Sequence, residues 1–379
     1  MPSERLAVGK TKTQKIFQAL LFLVTLGLLV YFCVSQNNLA VLLQILPTAN
    51  FFWIFCAVGS VILNWIMDSM VIHTLIFHAG NSRYRFGRAF RVTMVGQYFN
   101  SITPYAVGGQ PMQFMALVRQ GISSGAAIST LVKKFLVFQT SLTLYSFLVI
   151  VVKYQFFRSK IQGFMALAFV GFLYQSALVI ALILFSYSPR FTTKIIRGII
   201  WVLTKVRLVK HAEKTGERVK SQLEFFLKNN RAIQGKHLVM VKLYGFTFVQ
   251  LTALFLVPFF IYKAFHNPGT PVIDMIAAQS FVTMISGYTP LPGAAGAAEG
   301  SFLVIFQLFF APEMIRQAML LWRLIAYYSC IVVGAFFAAP EHRHIGNKFS
   351  DVSVSAQTES AEEETDTEQE TNSGGIKHE

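Results

Sequence analysis

Charged residues, and acidic ones above all, are scarce in this sequence. They make up 13% of the chain, against 54% hydrophobic residues, and nine of the 18 acids fall within residues 351–379. Runs of about 20 apolar residues with few charges are long enough to cross a bilayer. The composition therefore predicts an all-α polytopic integral membrane protein.

Side chains suited to catalysis or metal binding are also few. The three cysteines, Cys33, Cys56 and Cys330, lie in apolar segments without CxxC spacing or a neighbouring histidine cluster, so the sequence predicts neither a metal site nor a disulfide framework. It contains no P-loop, the signature of many nucleotide-binding proteins. We expect no cofactor, no catalytic residue and no enzymatic activity of this chain by itself.

What the chain carries in excess is positive charge. Without residues 351–379, which hold nine acids and one lysine, 32 lysines and arginines remain against nine acids. Positive-inside bias explains part of this excess, and anionic inner-leaflet lipids are more natural partners for the rest than nucleic acid. Segment 190–238 holds twelve lysines and arginines with apolar residues at helical spacing. It predicts a basic amphipathic helix on the inner leaflet, with a solvated cytoplasmic loop as the alternative.

Apolar runs predict six spanning helices, at about 16–34, 51–77, 126–152, 161–187, 239–262 and 317–339. The first is too long for the core of a signal peptide. Four arginines after the second helix mark a cytoplasmic loop, whereas the loop after the third, with Lys153, Arg158 and Lys160, is expected outside. Both termini are then cytoplasmic. Residues 1–345 form the membrane domain, and 346–379 form an acidic, disordered tail.

Two apolar regions are interrupted by proline and glycine. The first, 92–120, has two prolines and the pair Gly108-Gly109 between half-helices predicted at 92–102 and 110–120. The second, 273–311, has a Pro/Gly turn between arms predicted at 273–286 and 298–311. Non-helical backbone at membrane depth persists only where protein buries it or where it lines a wet cavity. Each region is therefore predicted to be a re-entrant hairpin, and the helix count has the two entering from opposite faces.

Opposed hairpins are what an inverted repeat produces, and broken helices indicate the binding site of a transporter. A possible repeat is supported by a loose similarity of the two turns, with chance similarity as the alternative: Thr103-Pro104 then Gly108-Gly109, and Thr289-Pro290 then Gly293. Helix N-termini at the turns are candidates for holding an anion such as phosphate. The candidate substrate-binding residues of the turns are Asn100, Gly108, Gly109, Gln110, Gly293 and Gly296.

Three carboxylates, Asp68, Asp274 and Glu299, lie at or near membrane depth, where an unpaired charge is costly. Glu299 opens a half-helix beside a glycine turn and is the strongest substrate-binding candidate, with helix capping as the alternative. Asp68 is a second candidate, with a salt bridge to a neighbouring helix as the alternative, and Asp274 is expected at the outer interface. Arg119 is a candidate for pairing with a lipid phosphate or for snorkelling. Arg323 is a further candidate that needs a partner such as Glu299.

Three motifs share their order with one protein family: Gly96-x-x-Phe99-Asn100 with Pro104, Gly108-Gly109-Gln110-Pro111 with Arg119-x-Gly121, and Pro290-x-Pro292-Gly293-x-x-Gly296-x-x-Glu299. Together, over residues 1–345, they resemble the transmembrane region of lysylphosphatidylglycerol synthases, the multiple peptide resistance factor family. One departure is Ala294, where the family often has a second glycine. The resemblance would put the family's functional carboxylates and arginine on Asp68, Glu299 and Arg119.

The resemblance implies a bacterial plasma-membrane protein that moves aminoacylated phosphatidylglycerol from the inner to the outer leaflet and so resists cationic antimicrobial peptides. Full-length members carry a soluble synthase domain, which these 379 residues lack, so we expect the flippase half alone. It would translocate an aminoacylated or other anionic phospholipid, such as lysylphosphatidylglycerol. One alternative is the membrane part of a phosphatidylglycerol lysyltransferase with a separate catalytic partner, and another is a scaffold whose basic segment recruits proteins. A separate synthase or a second copy of the chain is a further expected partner.

Overall fold

The computed structural model describes residues 47, 49–160, 164–187, 237–267, 269, 272–287 and 289–338. The first predicted helix, the acidic tail, and the basic segment apart from residues 237 and 238 lie outside the described residues. The chain divides into two units, Met1–Phe32 with Phe336–Glu379, and Cys33–Ala335. Nearly all of the described residues belong to the second unit.

All regular structure among the described residues is helical, which confirms the all-α class. The helices in chain order are α1 (Phe51–His78), α2 (Phe86–Ile102), α3 (Gly109–Arg119), α4 (Ser124–Lys160), α5 (Phe164–Tyr187), α6 (His237–Phe255), α7 (Val257–Ala264), α8 (Val272–Ser286), α9 (Ala297–Phe306) and α10 (Ile315–Arg323). Beyond Arg323, α10 continues through one π-helical turn, Leu324–Tyr328, and helix extends to residue 338.

Four helical stretches among the described residues are long and apolar enough to cross a membrane. They are Phe51–His78, Ser124–Lys153, His237–Ala264 and Ile315–Ala338, and they match the second, third, fifth and sixth predicted helices. The fourth predicted helix is present as α5, which offers a shorter apolar stretch, Gly171–Ala181. The predicted number of six spanning helices therefore stays a prediction.

Helix α1 lies at the centre of the packing and contacts α2, α4, α6 and α7. One buried apolar cluster joins α1 to α2, α3 and α4, and it includes Ile72, Val92, Leu117 and Leu131. A second cluster joins α1 to α4 and α6 through residues such as Leu75 and Leu243. A mostly apolar helix needs protein partners or lipid around most of its surface. Helix α1 therefore positions the helices that pack against it.

The two interrupted regions fold as helical hairpins, α2 with α3 and α8 with α9, whose members pack on each other. In each, the residue before a proline is extended, Thr103 at φ −111° and Leu291 at φ −87°, because a following proline disfavours the helical conformation. A 3₁₀ turn then starts at the proline: Pro104–Ala106 in the first hairpin and Pro292–Ala294 in the second. The two turns contact each other.

Three predicted boundaries are wrong. Helix α2 begins at Phe86 instead of residue 92, since arginine is a good helix former and the exposed Arg88 and Arg91 do not disturb the first turns. Helix α4 runs to Lys160, so the predicted loop that carries Lys153 is helical. Helix α9 ends at Phe306, well before the predicted residue 311. Just after this end, the Gln307 side chain donates to the carbonyl of Val304 at 2.9 Å and so satisfies an unpaired C-terminal acceptor.

Candidate functional site

A cavity of about 310 Å³ lies where the two hairpin turns meet. Its walls come from the end of α2, both turns, α8 and α10, and its polar lining includes Asn100, Gln279, Thr283, Ser286, Arg323 and Tyr327. Small-molecule sites in proteins span about 300–1,000 Å³, so the cavity matches a small polar group. Among the described residues that line it, Arg323 is the one charged side chain.

We call residues 99–109 the first elbow, and uncharged groups hold it. The Asn100 side-chain oxygen accepts from the N–H of Gly109 at 3.0 Å, and the Thr103 hydroxyl accepts from the N–H of Gly108 at 2.9 Å. A Cβ at Gly109 would lie 2.0 Å from the Asn100 oxygen, and one at Gly108 would lie 2.5 Å from the Thr103 methyl. Glycine is thus needed for close approach, and both N–H groups already donate within the protein.

We call residues 287–299 the second elbow, and charged groups hold it. The Glu299 carboxylate accepts from the N–H of Gly296 at 2.6 Å and pairs with the Arg323 guanidinium at 2.7 Å. Arg323 also donates to the carbonyl of Gly293 at 3.0 Å. The Arg323 side chain is 5% exposed and that of Glu299 15%. Glu299 therefore caps α9 and neutralises Arg323 together, and the partner predicted for Arg323 is present.

Tyr327 joins the two elbows. Its hydroxyl donates to the carbonyl of Ser101 at 2.8 Å, while its ring lies against Gly293, where a Cβ would come within 2.3 Å. Gly293 has φ +60°, so a side chain there would be both strained and crowded. Tyr327 belongs to the π-helical turn of α10, a feature that often marks functional positions.

Other predicted site residues lie elsewhere. Asp68 on α1 pairs with Lys134 on α4 at 2.7 Å and accepts from the Gln250 amide on α6 at 3.3 Å, which is the salt bridge between helices that the sequence left as an alternative. Gln110 lines a separate apolar pocket of about 300 Å³ between α3 and α4. Arg119 is in the last turn of α3, about 15 Å along the helix from Gly109 at 1.5 Å per residue.

Asp274 also takes part in an ion pair. Its carboxylate, 7% exposed, lies 2.6 Å from the Lys153 ammonium, so the first turn of α8 is fastened to α4. Its predicted position at the outer interface is not tested. Asp68 and Asp274, which are buried, and Glu299, which is partly exposed, each have a cationic partner, as a charge inside a membrane protein requires.

The sequence reasoning missed the polar face of α8. Gln279, Thr283 and Ser286 follow the helical spacing i, i+4, i+7 within a helix whose other residues are mostly apolar, and all three line the cavity. That spacing places them on one face, so the signal was present in the sequence. Trp322, which precedes Arg323, also lines the cavity, but no pattern in the sequence indicated this.

The fold and the cavity define a class: a multi-pass helical membrane protein in which two interrupted hairpins share a polar cavity. More specifically, the chain belongs to the lysylphosphatidylglycerol synthase TM region family, whose profile matches residues 17–334. This confirms the resemblance found in the sequence.

Two relatives are similar over most of their length. A "UPF0104 membrane protein" of Archaeoglobus fulgidus is 26% identical over 301 residues, covering 77% of this chain and 87% of the relative. An "Uncharacterized protein MG306 homolog" of Mycoplasma pneumoniae is 23% identical over 338 residues, covering 82% of this chain and 83% of the relative. Both similarities extend through the membrane region, and neither printed name states an activity.

Proposed function

We propose that this protein translocates phospholipids between the leaflets of a cell membrane. In this proposal the two hairpins are re-entrant and enter from opposite faces, and a lipid headgroup crosses through the cavity between the elbows while its acyl chains stay in the bilayer. The observation that carries the proposal is a buried arginine, Arg323, in the wall of a cavity of about 310 Å³ between two breaks in helical structure. Broken helices of this kind line the substrate sites of many transporters.

Arg323 gives the proposal its chemistry. A guanidinium is suited to phosphate because its planar donors match two oxygens at once. Every phospholipid carries a phosphate, so an arginine in a polar cavity offers a partner to the one group that cannot cross hydrocarbon unaided. Glu299 holds this guanidinium at 2.7 Å, which lowers the cost of burying it while the cavity is empty of substrate.

We propose that the open end of the first hairpin faces an anionic lipid surface. Four exposed arginines lie there, at Arg83, Arg85, Arg88 and Arg91, and each basic residue near such a surface contributes about 1 kcal/mol of attraction. The exposed ring of Phe86 lies among them, and aromatic side chains favour the membrane interface. Headgroups would gather at this end of the protein. This orientation would make the face cytoplasmic.

Translocation is tested with the full chain reconstituted in vesicles that contain a fluorescent phospholipid. A membrane-impermeant reductant bleaches the outer leaflet, and the fraction then lost shows exchange from the inner leaflet. We expect exchange well above that of protein-free vesicles, and at least a tenfold loss in Arg323→Gln, because a hydrogen bond to a charged group contributes about 1.5–3 kcal/mol.

The matched control is Lys153→Gln, which also breaks a buried ion pair but at the far end of α8. Arg323→Lys keeps the charge and should restore part of the rate. Folding of each variant is checked by its elution as a single species in detergent. Wild-type vesicles that bleach like protein-free ones would reject the proposed function.

A further inference from the structure

We infer that the cavity recognises a phosphodiester whose headgroup carries uncharged hydroxyls, and that Gln279 and Trp322 set this preference. The inference rests on the proposed function for its setting, and it concerns which lipid the cavity accepts. It depends on the hydrogen-bonding atoms that the cavity wall leaves unused.

Three buried polar atoms on cavity-lining residues have no hydrogen-bond partner within the described structure. They are the Gln279 side-chain oxygen, the Trp322 indole nitrogen and the Arg323 Nε. Their residues are only 2%, 6% and 5% exposed. A buried polar group without a partner costs about 1–3 kcal/mol, and native proteins rarely keep one without a reason.

The kind of atom decides the kind of ligand. The Trp322 and Arg323 nitrogens only donate, whereas the Gln279 oxygen only accepts. Two donors fit the oxygens of a phosphodiester, and one acceptor fits a hydroxyl of the headgroup. A bound anionic lipid with a polyol headgroup, such as phosphatidylglycerol, would satisfy all three atoms.

An ammonium headgroup is matched less well. It is a pure donor and requires acceptors, best of all a free carboxylate. Glu299 already accepts from Gly296 and from Arg323, and Asp68 is engaged with Lys134 and Gln250. The lysyl group of lysylphosphatidylglycerol would therefore find no unoccupied carboxylate among the described residues of the cavity wall.

The neighbours of the three atoms support a built site. Gln279 lies on the same face of α8 as Thr283 and Ser286, and its amide nitrogen is 3.5 Å from the Thr283 hydroxyl. The Trp322 ring is stacked on Phe302 with centroids 5.0 Å apart, and the Arg323 guanidinium lies 5.0 Å from the Trp322 ring. These contacts fix the side chains in place, so the three unpartnered atoms keep one orientation.

Unpartnered polar atoms occur elsewhere, as in Gln175 on α5, and such atoms alone do not make a site. Gln175 is 4% exposed but is not part of the cavity wall, which makes it a control. Trp65 on α1 is likewise a buried tryptophan, 5% exposed, outside the cavity wall.

The experiment measures lipid retention and translocation separately. Native mass spectrometry of the full chain in detergent is carried out with equimolar phosphatidylglycerol, phosphatidylcholine and lysylphosphatidylglycerol, and the same lipids are then tested in vesicles. We expect phosphatidylglycerol to be retained most. Trp322→Phe and Gln279→Met should each lower its preference over phosphatidylcholine by about tenfold, the scale of one lost hydrogen bond in a buried site. Trp65→Phe and Gln175→Met should leave that preference unchanged.

Equal retention of phosphatidylglycerol by the two cavity variants and wild type would overturn the inference, because water alone would then satisfy the atoms. A preference for lysylphosphatidylglycerol would overturn it as well. Translocation without any lipid preference would overturn the inference and leave the proposed function standing. Selective retention without translocation would support the inference and reject the proposed function.

Discussion

The two hairpins share the backbone of their turns but differ in how the turns are held. Each turn is a three-residue 3₁₀ segment that begins with proline and ends with alanine, Pro104–Ala106 and Pro292–Ala294. In both, the second and third residues have φ between 53° and 60°. The structure thus pairs Pro104 with Pro292, two residues later than the similarity of Thr103-Pro104 with Thr289-Pro290 suggested.

The chemistry around these matching turns is different. Neutral side chains, Asn100 and Thr103, bind the backbone of the first, whereas an ion pair, Glu299 with Arg323, binds the backbone of the second. Neutral hydrogen bonds fix a shape without creating a strong local field. A buried ion pair fixes a shape and also places charge where a ligand can meet it. In the proposed function, the first elbow would therefore act as scaffold, and the second would supply the charge of the cavity.

Breaking the charged elbow should have the largest effect on stability. Glu299→Gln leaves the Arg323 guanidinium buried without its counter-charge, and losing one partner of a buried pair costs about 3–5 kcal/mol. We expect a loss of about 3 kcal/mol, because Glu299 is partly exposed and glutamine keeps one acceptor. Equilibrium unfolding of the purified chain in mixed micelles measures it.

The double variant Glu299→Gln/Arg323→Met provides the control. Removing both partners should restore much of the lost stability, since no unpaired charge remains. The losses of unfolding free energy in Glu299→Gln and Arg323→Met could instead add up to the loss in the double variant. The ion pair would then not be what holds the second elbow, and the contrast with the first elbow would fail.

Breaking the neutral elbow should cost less. Asn100→Leu removes the acceptor for the N–H of Gly109 and leaves a donor unsatisfied, for which we expect about 1–2 kcal/mol. The same unfolding measurement applies, with Asn100→Asp as the matched variant that keeps an acceptor. A loss in Asn100→Leu as large as that in Glu299→Gln would contradict the division into scaffold and chemistry.

The sequence predicted local features well and distant partners poorly. Both breaks could be located because proline and glycine act on their own neighbours, and Arg323 could be assigned Glu299 because few buried acids are available. Asp68 could not be assigned to Lys134 and Gln250, because these residues come from three helices far apart in the chain. The end of α4 was misplaced for a related reason. The sequence predicts Lys153 in a loop, whereas the structure places it in a helix, where Asp274 stabilises its charge.

The open end of the first hairpin is also held by a neutral contact. The Tyr84 hydroxyl donates to the Gln120 side chain at 2.7 Å, joining the segment before α2 to the residue after α3. Burial raises the pKa of this hydroxyl above its ordinary value of 10.0, and the nearby Arg88 opposes the shift. The folded state then keeps its proton while the unfolded state loses it, so stability is full below pH 10.0 and falls as the pH rises above that value.

Tyr84→Phe should remove both the bond and this pH dependence. We expect a loss of about 1 kcal/mol at neutral pH and a flatter decline of the unfolding free energy above pH 10. Unfolding series between neutral and alkaline pH measure both, and Tyr174→Phe, at an exposed position on α5, is the control. If the unfolding free energy of Tyr84→Phe declines above pH 10 as steeply as that of the wild type, other groups govern the alkaline decline.

The smallest expected change in unfolding free energy comes from replacing the alanines that end the two turns. Ala106 and Ala294 both have φ of 53°, a left-handed conformation that costs a residue with a Cβ about 1–2 kcal/mol. Glycine relieves this strain but makes the unfolded chain more flexible, so we expect Ala294→Gly and Ala106→Gly each to stabilise the protein by less than about 1 kcal/mol. Equal gains in the two variants, measured by unfolding, would support matching turns. A gain in one and a loss in the other would mean that the turns are alike in φ but not in the strain they carry.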